Sequence, residues 1–484
     1  MYLITPDRFA NGDTSNDSTK DTIEKADREN PDGRHGGDIQ GILDHLDYIE
    51  DLGVTAIWLN PVLENDQPAY SYHGYAISDF YKVDSRFGSN EDYKELVTQC
   101  HNRGMKVIKD MVFNHCGSGH WWMDDLPSND WLNQWDEFTK SSFTNLTISD
   151  PYRSVSDYEL HVNGWFDSNM PDLNQKNRFL ATYLIQNSIW WIEYAGIDGI
   201  RMDTYPYPDQ DMMAQWVKAV QREYPDFYIV GETWEAEAAS VSYWNRSKNK
   251  DGYSSYLNSV SDYPLYYAIL NSFGNDQLIY RIYENLAYDY LYDSPENSKI
   301  FNGNHDQPRP FNVLGKDKEK VKLSFAFVLT TRGIPQIYYG DELLFDGPKP
   351  DGVLRKDFPG GWKKDKRDLF REDDRTQDET EVHSYVKNIL AWRKDAKEIH
   401  KGKLKHYKPK DENVYVYFRY LENEATMVII NNSEKAYNDF DLSHYAESLD
   451  GYQSGMDVIT KRRYESLDAI DLGPNQAYIV ELER

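Results

Sequence analysis

The sequence predicts an α/β protein: a TIM (β/α)₈ barrel with an inserted loop subdomain after strand 3 and a C-terminal antiparallel β-sandwich domain. Three observations predict this fold. Short apolar runs of strand length alternate with segments of helical period from residue 2 to about 396. Acidic side chains follow four of these strands, where a barrel builds its active site. After about residue 402 the apolar period becomes two, as in antiparallel strands.

The first third of the barrel is the most regular part of the pattern. Strands are predicted over residues 2–5, 55–60 and 106–113, and helices over residues 38–52 and 90–102. The apolar face of the first helix is formed by Ile39, Ile42, Leu43, Leu46 and Ile49.

Regular alternation stops at residue 116. Residues 116–174 are rich in Trp, Asp, Asn and Ser and show no clear helical period. Because this stretch is far longer than an ordinary connection, we expect a small inserted subdomain or a functional loop. The barrel is therefore assigned to residues 1–115 and 175–400.

Alternation resumes after the insertion. Helices are predicted over residues 178–194, 211–224 and 382–396, and strands over residues 199–203, 227–232, 257–261, 299–302 and 334–339. The strand at 257–261 is the weakest. Residues 346–365 are rich in Gly, Pro and charge, and we expect them to form a long loop on the pocket face.

The C-terminal domain is assigned to residues 401–484. Strands of period two are predicted over residues 413–420, 425–431 and 476–482. We expect this domain to pack against the barrel rather than to act as a separate binding module.

Composition excludes several classes of partner. The net charge of −28 argues against nucleic acid and against an anionic membrane surface. No apolar stretch is long enough to span a membrane, and Cys100 and Cys116 do not indicate a disulfide framework. The 38 Tyr and 13 Trp residues suit a neutral sugar, because aromatic faces stack on sugar rings.

The acidic segments carry the chemistry. Asp203, Glu232 and Asp306 each end or follow a strand, so we expect them to converge on one pocket. Glycoside hydrolysis needs one protonated carboxyl and one ionised carboxylate. Arg201 shares a strand face with Asp203 and should keep it ionised, whereas Glu232 has no such partner in sequence and is the better acid.

The chain resembles the alpha-amylase family of glycoside hydrolases along nearly its whole length. The resemblance rests on four segments, taken together with Gly53 to Pro61 and Gly333 to Gly340. The four segments are Asp110-Met-Val-Phe-Asn-His115, Gly199-Ile-Arg-Met-Asp203, Gly231-Glu232 and Asn304-His305-Asp306. Within the family it is similar to the neopullulanase and cyclomaltodextrinase branch, because of Met170-Pro-Asp-Leu-Asn174 and the loop Arg355 to Trp362.

The resemblance implies a retaining mechanism with Asp203 as nucleophile, Glu232 as general acid/base and Asp306 as transition-state stabiliser. Tyr72-His73-Gly74-Tyr75 resembles a segment that contacts the sugar, and Tyr207 stands where many relatives carry other residues. The predicted substrate-binding residues are His73, Tyr75, Asp110, His115, Arg201, Tyr207, His305 and Arg309.

The expected activity is hydrolysis of α-1,4-glucosidic bonds in starch-derived oligosaccharides, pullulan or cyclodextrins. A transglycosylase of the same fold is the alternative, because only contacts to the acceptor separate the two. A non-catalytic glucan-binding protein is a remote alternative, since Asp203 and Glu232 are both present.

A calcium ion is expected near the start of the chain. Several Asx side chains bunch on one loop, and oxygen ligands of this kind suit Ca²⁺. The same arrangement in the resembling enzymes implies a structural ion. The predicted ligands are Asn11, Asp13, Asn16, Asp17, Gly36 and Asp38.

Partners and compartment follow from the resemblance. We expect an α-glucan substrate, no nucleic acid and no membrane. The sequence begins within a strand, so we expect an upstream segment to have been removed or never present. The N-terminal β-domain that is usual in this branch is not present in this sequence. Because that domain helps the relatives to dimerise, we expect a monomer or a weak homodimer. The resemblance favours a soluble periplasmic or secreted protein, and no signal peptide precedes the fold, so the cytoplasm stays open.

Overall fold

Eight parallel strands form the centre of the computed structural model, which describes residues 1–274, 278–410 and 413–484. They are β1 (Tyr2–Ile4), β2 (Ala56–Leu59), β3 (Lys106–Met111), β4 (Gly199–Met202), β5 (Tyr228–Gly231), β6 (Ser259–Val260), β7 (Lys299–Phe301) and β8 (Ile334–Tyr338). Their order is β6-β5-β4-β3-β2-β1-β8-β7. A parallel bridge between Ser261 and Lys299 joins the two outer strands, so the sheet closes into the predicted barrel.

Helices surround the strands. The longer ones are α1 (Ile39–Asp44), α2 (Leu46–Leu52), α3 (Asn90–Asn102), α4 (Arg178–Ala195), α5 (Gln210–Glu223), α6 (Tyr263–Gly274), α7 (Lys318–Thr330) and α8 (Gln377–Arg393). Shorter helices span Pro6–Phe9, Leu146–Ser149, Val155–Asn163, Ala238–Ser242, Tyr280–Leu286, Pro310–Val313, Asp351–Leu354, Lys397–Lys401 and Ala446–Leu449. None of the helices in the described ranges combines the length and the apolar character that crossing a membrane requires.

The predicted helix 38–52 is two helices. The backbone at His45 leaves the helical region, with φ −115° and ψ 16°, and α1 ends there. The His45 ring stacks on Phe370, with 3.6 Å between ring centroids. A tertiary contact therefore accompanies a break that the apolar period does not reveal.

Helices α6 and α7 were not predicted. In α6 nearly every side chain from Tyr263 to Phe273 is buried, and in α7 the same holds from Val321 to Thr330. A helix buried on all sides has no polar face, so its period is invisible in sequence.

The inserted segment contains more regular structure than expected. The helices Leu146–Ser149 and Val155–Asn163 lie within it, although residues 116–174 showed no helical period. Ser154 caps the second helix by accepting from the N–H of Asp157. Antiparallel bridges from His115 to Asp172 and from Leu132 to Leu173 join the two ends of the segment.

The C-terminal region is antiparallel, as predicted. Its strands are β9 (Lys403–His406), β10 (Val414–Leu421), β11 (Glu424–Asn431), β12 (Tyr437–Asp441), β13 (Ser454–Asp457), β14 (Arg463–Tyr464), β15 (Ala469–Leu472) and β16 (Gln476–Glu483). Six form a sheet in the order β9-β10-β11-β16-β13-β14, and β12 pairs with β15.

The two faces of β10 belong to different cores. Tyr415 and Tyr417 pack into the barrel core, whereas Val416 and Phe418 pack into a separate core within the C-terminal region. This alternation follows from the period of two. The sheet therefore covers the barrel, as the sequence predicts.

Candidate active site

Arg201 is the centre of the charged groups at the carboxyl end of the barrel. Its Nη1 lies 2.8 Å from Asp110 Oδ1 and 2.8 Å from Asp203 Oδ1, and its Nη2 lies 2.6 Å from Glu232 Oε1. These three carboxylates come from β3 and from the ends of β4 and β5. Because Arg201 pairs with Glu232 as well as Asp203, the expectation that Glu232 lacks a cationic partner is wrong.

Asp110 is held from its other side by aromatic residues. Its Oδ2 accepts from Trp58 Nε1 and from the Tyr75 hydroxyl, each at 3.1 Å. The Tyr75 hydroxyl also lies 2.6 Å from His305 Nε2, and the two rings are parallel with 5.6 Å between centroids. Tyr75 therefore links the Arg201 cluster to His305 on the loop after β7.

Asp306 joins the same network. Its Oδ1 accepts from Arg355 Nη2 at 2.9 Å, and its Oδ2 lies 3.1 Å from His305 Nε2. Asp203, Glu232 and Asp306 line one cleft of about 480 Å³. The sequence prediction that these three side chains converge on one pocket agrees with this geometry.

The remaining predicted site residues divide by position. His73, Tyr75, His115 and Tyr207 line the cleft. Asp110, Arg201 and His305 do not line it and lie in the hydrogen-bond network beneath the carboxylates.

Arg309 is not brought to the cleft. It is fully buried, its Nη1 donates to Asp341 Oδ1 at 2.9 Å, and its Nε donates to the Leu354 carbonyl. The guanidinium also lies 3.8 Å from the ring centroid of Tyr338. These contacts give Arg309 a role in anchoring the loop after β8, so its prediction as a substrate-binding residue is not supported.

Burial dominates the proton affinities of the cluster. It raises the pKa of Asp110 to about 6 and the pKa of Asp203 well above its usual value, although Arg201 opposes both shifts. The direction for Asp203 is opposite to the one expected from Arg201 alone. Each of these two carboxylates also raises the proton affinity of its neighbours, so Asp110 and Asp203 do not titrate independently.

The histidines at the cleft are neutral. Burial lowers the pKa of His73 and of His115 to about 3. His115 Nδ1 lies 3.2 Å from the Asn114 amide nitrogen, and the His115 ring stacks on Phe166. His115 Nε2 is buried and has no hydrogen-bond partner within the described part of the chain.

Sequence reasoning missed part of the cleft wall. Asp351 and Arg355 lie in the loop that was expected to shape the pocket, but composition alone does not select them from that loop. Phe143 and Phe166 come from the inserted segment, whose path the sequence does not predict. The missed lining residues are Phe143, Asn145, Phe166, Met170, Thr204, Trp234, Asp351 and Arg355.

Four of the predicted calcium ligands lie together on the loop after β1. The Oδ1 atoms of Asn11 and Asn16 are buried and have no hydrogen-bond partner among the described residues. Asn11 Nδ2 donates to Asp17 Oδ1 at 2.7 Å. A Cβ added at Gly36 would come within 2.8 Å of the same Asp17 oxygen, so Gly36 lies directly against the loop. These orphaned amide oxygens fit a cation that prefers oxygen ligands.

Asp38, which was also predicted as a calcium ligand, bonds to backbone groups instead. Its carboxylate accepts from the backbone N–H groups of Gly12, Asp13 and Gly41, at 2.6 to 3.0 Å, and so caps α1. In residues 1–274, 278–410 and 413–484, no group of three or more His, Cys, Asp or Glu side chains is arranged to hold a metal ion. The fit of the loop to calcium therefore depends on amide and backbone oxygens.

Two family models match the chain, and their matches overlap over residues 404–423. A model described as the alpha amylase catalytic domain matches residues 3–423. A model described as the cyclo-malto-dextrinase C-terminal domain matches residues 404–481.

Individual relatives match over most of the chain. It is 33% identical over 441 residues to a cyclomaltodextrinase of Geobacillus thermopakistaniensis, covering 90% of this chain and 69% of the relative. It is 29% identical over 482 residues to alpha-amylase 3 of Dictyoglomus thermophilum, covering 93% and 90%. The alpha-amylase of Geobacillus thermoleovorans complexed with acarbose matches with a TM-score of 0.81 at 28% identity, covering 100% of this chain and 98% of that one.

Proposed function

Since this chain belongs to the alpha-amylase family of glycoside hydrolases, we propose that it hydrolyses α-1,4-glucosidic bonds in starch-derived oligosaccharides, pullulan or cyclodextrins with retention of configuration. The observation that carries the proposal is that Asp203 and Glu232 both line the cleft and both bond to the one guanidinium of Arg201 beneath it. Retaining enzymes hold two such carboxyl groups about 5 Å apart. Relatives named cyclomaltodextrinase and alpha-amylase support an α-glucan as substrate.

The proposed reaction has two steps. Asp203 attacks the anomeric carbon while Glu232 protonates the leaving oxygen, which gives a covalent glycosyl-enzyme. Glu232 then removes a proton from water, and the water releases the sugar. Asp306 faces the same cleft and stabilises the positive charge that develops on the sugar ring.

Transfer to a sugar acceptor is the second candidate, and an aromatic wall favours it. The Phe143 ring lies 5.2 Å from that of Phe166 and 5.9 Å from that of Tyr207, between centroids. All three side chains line the cleft together with Trp234. An apolar wall of this kind stacks on a second sugar and competes with water for the glycosyl-enzyme.

Product analysis tests both candidates. Pullulan, cyclodextrin, soluble starch and maltotriose are incubated with the enzyme side by side. We expect reducing sugars of α configuration from the glucans, and panose from pullulan. Products longer than maltotriose in the incubation with maltotriose alone would assign transfer. Products of β configuration would contradict retention, and no release from any substrate would contradict the proposal.

We also propose that a structural calcium ion binds the loop after β1. Asn11, Asn16 and Asp17 would hold it with Asp13 and the carbonyl of Gly36, and Asp38 would fix the backbone around it. The orphaned amide oxygens of Asn11 and Asn16 support this proposal. The ion would cross-link the loop, and the carboxylate chemistry needs no metal.

A further inference from the structure

The hydrogen-bond ladder between β4 and β5 is irregular at its carboxyl end. In a regular parallel ladder, the N–H and C=O of Glu232 would bond to the residues immediately before and after Asp203. The Glu232 N–H does donate to the Met202 carbonyl at 2.9 Å, but the Glu232 carbonyl accepts from the N–H of Tyr205 at 3.1 Å. Thr204 is therefore one extra residue, as in a β-bulge.

The extra residue directs both of its donors to acidic side chains. The Thr204 N–H, which a regular ladder would use for the Glu232 carbonyl, donates instead to Glu232 Oε2 at 3.0 Å. The Thr204 hydroxyl donates to Asp203 Oδ2 at 3.1 Å. One residue thus contacts both carboxylates, each through the oxygen that the Arg201 guanidinium does not contact.

The backbone of Thr204 is strained. Its φ is +44°, in the left-handed region that a β-branched residue rarely adopts. Such strain persists only where the surroundings impose it, and it collects at functional sites. Here the Tyr205 bond to Glu232 and the Tyr207 N–H bond to the Thr204 carbonyl fix the residue from both sides.

We propose that Thr204 is a positioning residue, which sets the nucleophile and the general acid relative to each other through the bulge. Its hydroxyl favours the ionised form of Asp203, and its N–H fixes the carboxyl of Glu232. The inference rests on the proposed function, in which Asp203 and Glu232 have these roles.

The test compares Thr204→Val, which keeps the shape and loses the hydroxyl, with Thr204→Ser, which keeps the hydroxyl. Rates are measured on maltotriose and on an α-glucosyl fluoride, whose leaving group needs no acid. We expect Thr204→Val to lower kcat at least about tenfold on both substrates. We also expect the acidic limb of the kcat/KM profile to move to higher pH, and Thr204→Ser to stay close to wild type.

Thr233→Val is the matched control. It removes a buried hydroxyl that donates to the Ser261 carbonyl at 3.2 Å, directly beside Glu232 but away from both carboxylates. We expect an unchanged pH profile. Melting curves of all variants confirm that each one folds.

Asp203→Asn distinguishes a failure of the proposed function from a failure of the role proposed for Thr204. If Asp203→Asn keeps turnover, the proposed function fails whatever Thr204→Val does. If Asp203→Asn is inactive and Thr204→Val has wild-type kcat and pH profile, only the role of Thr204 is overturned. Equal losses in Thr204→Val and Thr204→Ser without a shift of the pH profile would likewise overturn it, because they would indicate packing alone.

Discussion

Lys109 points away from the active-site cluster that contains its neighbour Asp110, because successive residues of a strand point to opposite faces. Its side chain is buried between barrel and helices, and its Nζ has no hydrogen-bond partner within the described part of the chain. The Nζ lies 3.9 Å from the ring centroid of Trp191 and 4.6 Å from that of Tyr93. Burial lowers the pKa of Lys109 to about 7.

This lysine should destabilise the fold below neutral pH. The unfolded chain keeps the proton up to about pH 10.4, whereas the folded chain loses it near 7, so stability rises with pH across that window. Lys109→Met should raise the free energy of unfolding by about 1–4 kcal/mol at pH 6, with the gain shrinking toward pH 10. Denaturant unfolding at several pH values measures this change.

Lys106→Met is the control on the same strand. Lys106 is exposed and pairs with Asp198, so its loss should change stability by less than about 1 kcal/mol. A Lys109→Met variant that is less stable than wild type at pH 6 would contradict the account of the buried cation.

The contacts of Arg201 were predicted only in part from the sequence. Period two correctly predicted that it would face the same way as Asp203. Its contact with Glu232 was not predicted, because it depends on the register that pairs Arg201 with Val230 on the next strand. The pKa direction of Asp203 was missed for a similar reason, since the cost of burial is a property of the packed barrel and not of the strand.

At the scale of elements, Gly74 determines where Tyr75 lies. Its φ is +82°, and a Cβ at this position would come within 2.1 Å of the Pro61 carbonyl oxygen. The next residue carries the hydroxyl that bonds to Asp110 and His305. The short turn over Ser71–His73 therefore delivers a cleft residue through a backbone contact that only glycine permits.

Gly74→Ala should lower both stability and activity. The methyl group would displace the turn from Pro61 and move the Tyr75 hydroxyl away from the network. We expect a loss of at least about 2 kcal/mol of unfolding free energy and a fall in kcat/KM. Thermal unfolding and initial rates on maltotriose measure the two effects.

Gly104→Ala provides the comparison. Its φ is also positive, at +72°, but no atom lies within 4 Å of the added Cβ. We expect a cost of about 1 kcal/mol from backbone conformation alone, with activity unchanged. Equal effects of the two substitutions would show that the contact with Pro61 does not matter.

Helices and strands were largely predictable where one of their faces is exposed to solvent. Helix α3 begins at a capping box formed by Ser89 and Asp92, and its bounds match the prediction. Helices α6 and α7 were missed because burial on all sides removes the period that sequence analysis relies on. The helices of the inserted segment were missed because they are short and their packing is set by the rest of the chain.

At the scale of the whole molecule, the barrel holds together segments that are distant in sequence. Barrel closure between Ser261 and Lys299, and the C-terminal sheet over the barrel, agree with the predicted architecture. The cleft draws its wall from the inserted segment and from the loop after β8 as well as from the strands. Composition and hydrophobic period identify the inserted segment and the loop after β8 in the sequence. They do not predict that the two segments meet at the cleft, because that depends on how the chain folds.

The calcium proposal belongs to this scale, because a cross-linked loop stabilises the whole domain. A ligand that binds only the folded chain raises its melting temperature. A chelator should lower the melting temperature while leaving the rate at moderate temperature unchanged, and added Ca²⁺ should restore it. A melting curve that does not respond to chelator or to Ca²⁺ would contradict the site.

The most direct test of the whole account is the identity of the residue that carries the sugar. Glu232→Gln is incubated with an α-glucosyl fluoride, and the trapped protein is digested and analysed by mass spectrometry. Because the first step needs no acid with this substrate and the second step needs the base, we expect a glucosyl ester on Asp203. A label on any other residue, or turnover with no covalent species at all, would contradict Asp203 as the nucleophile.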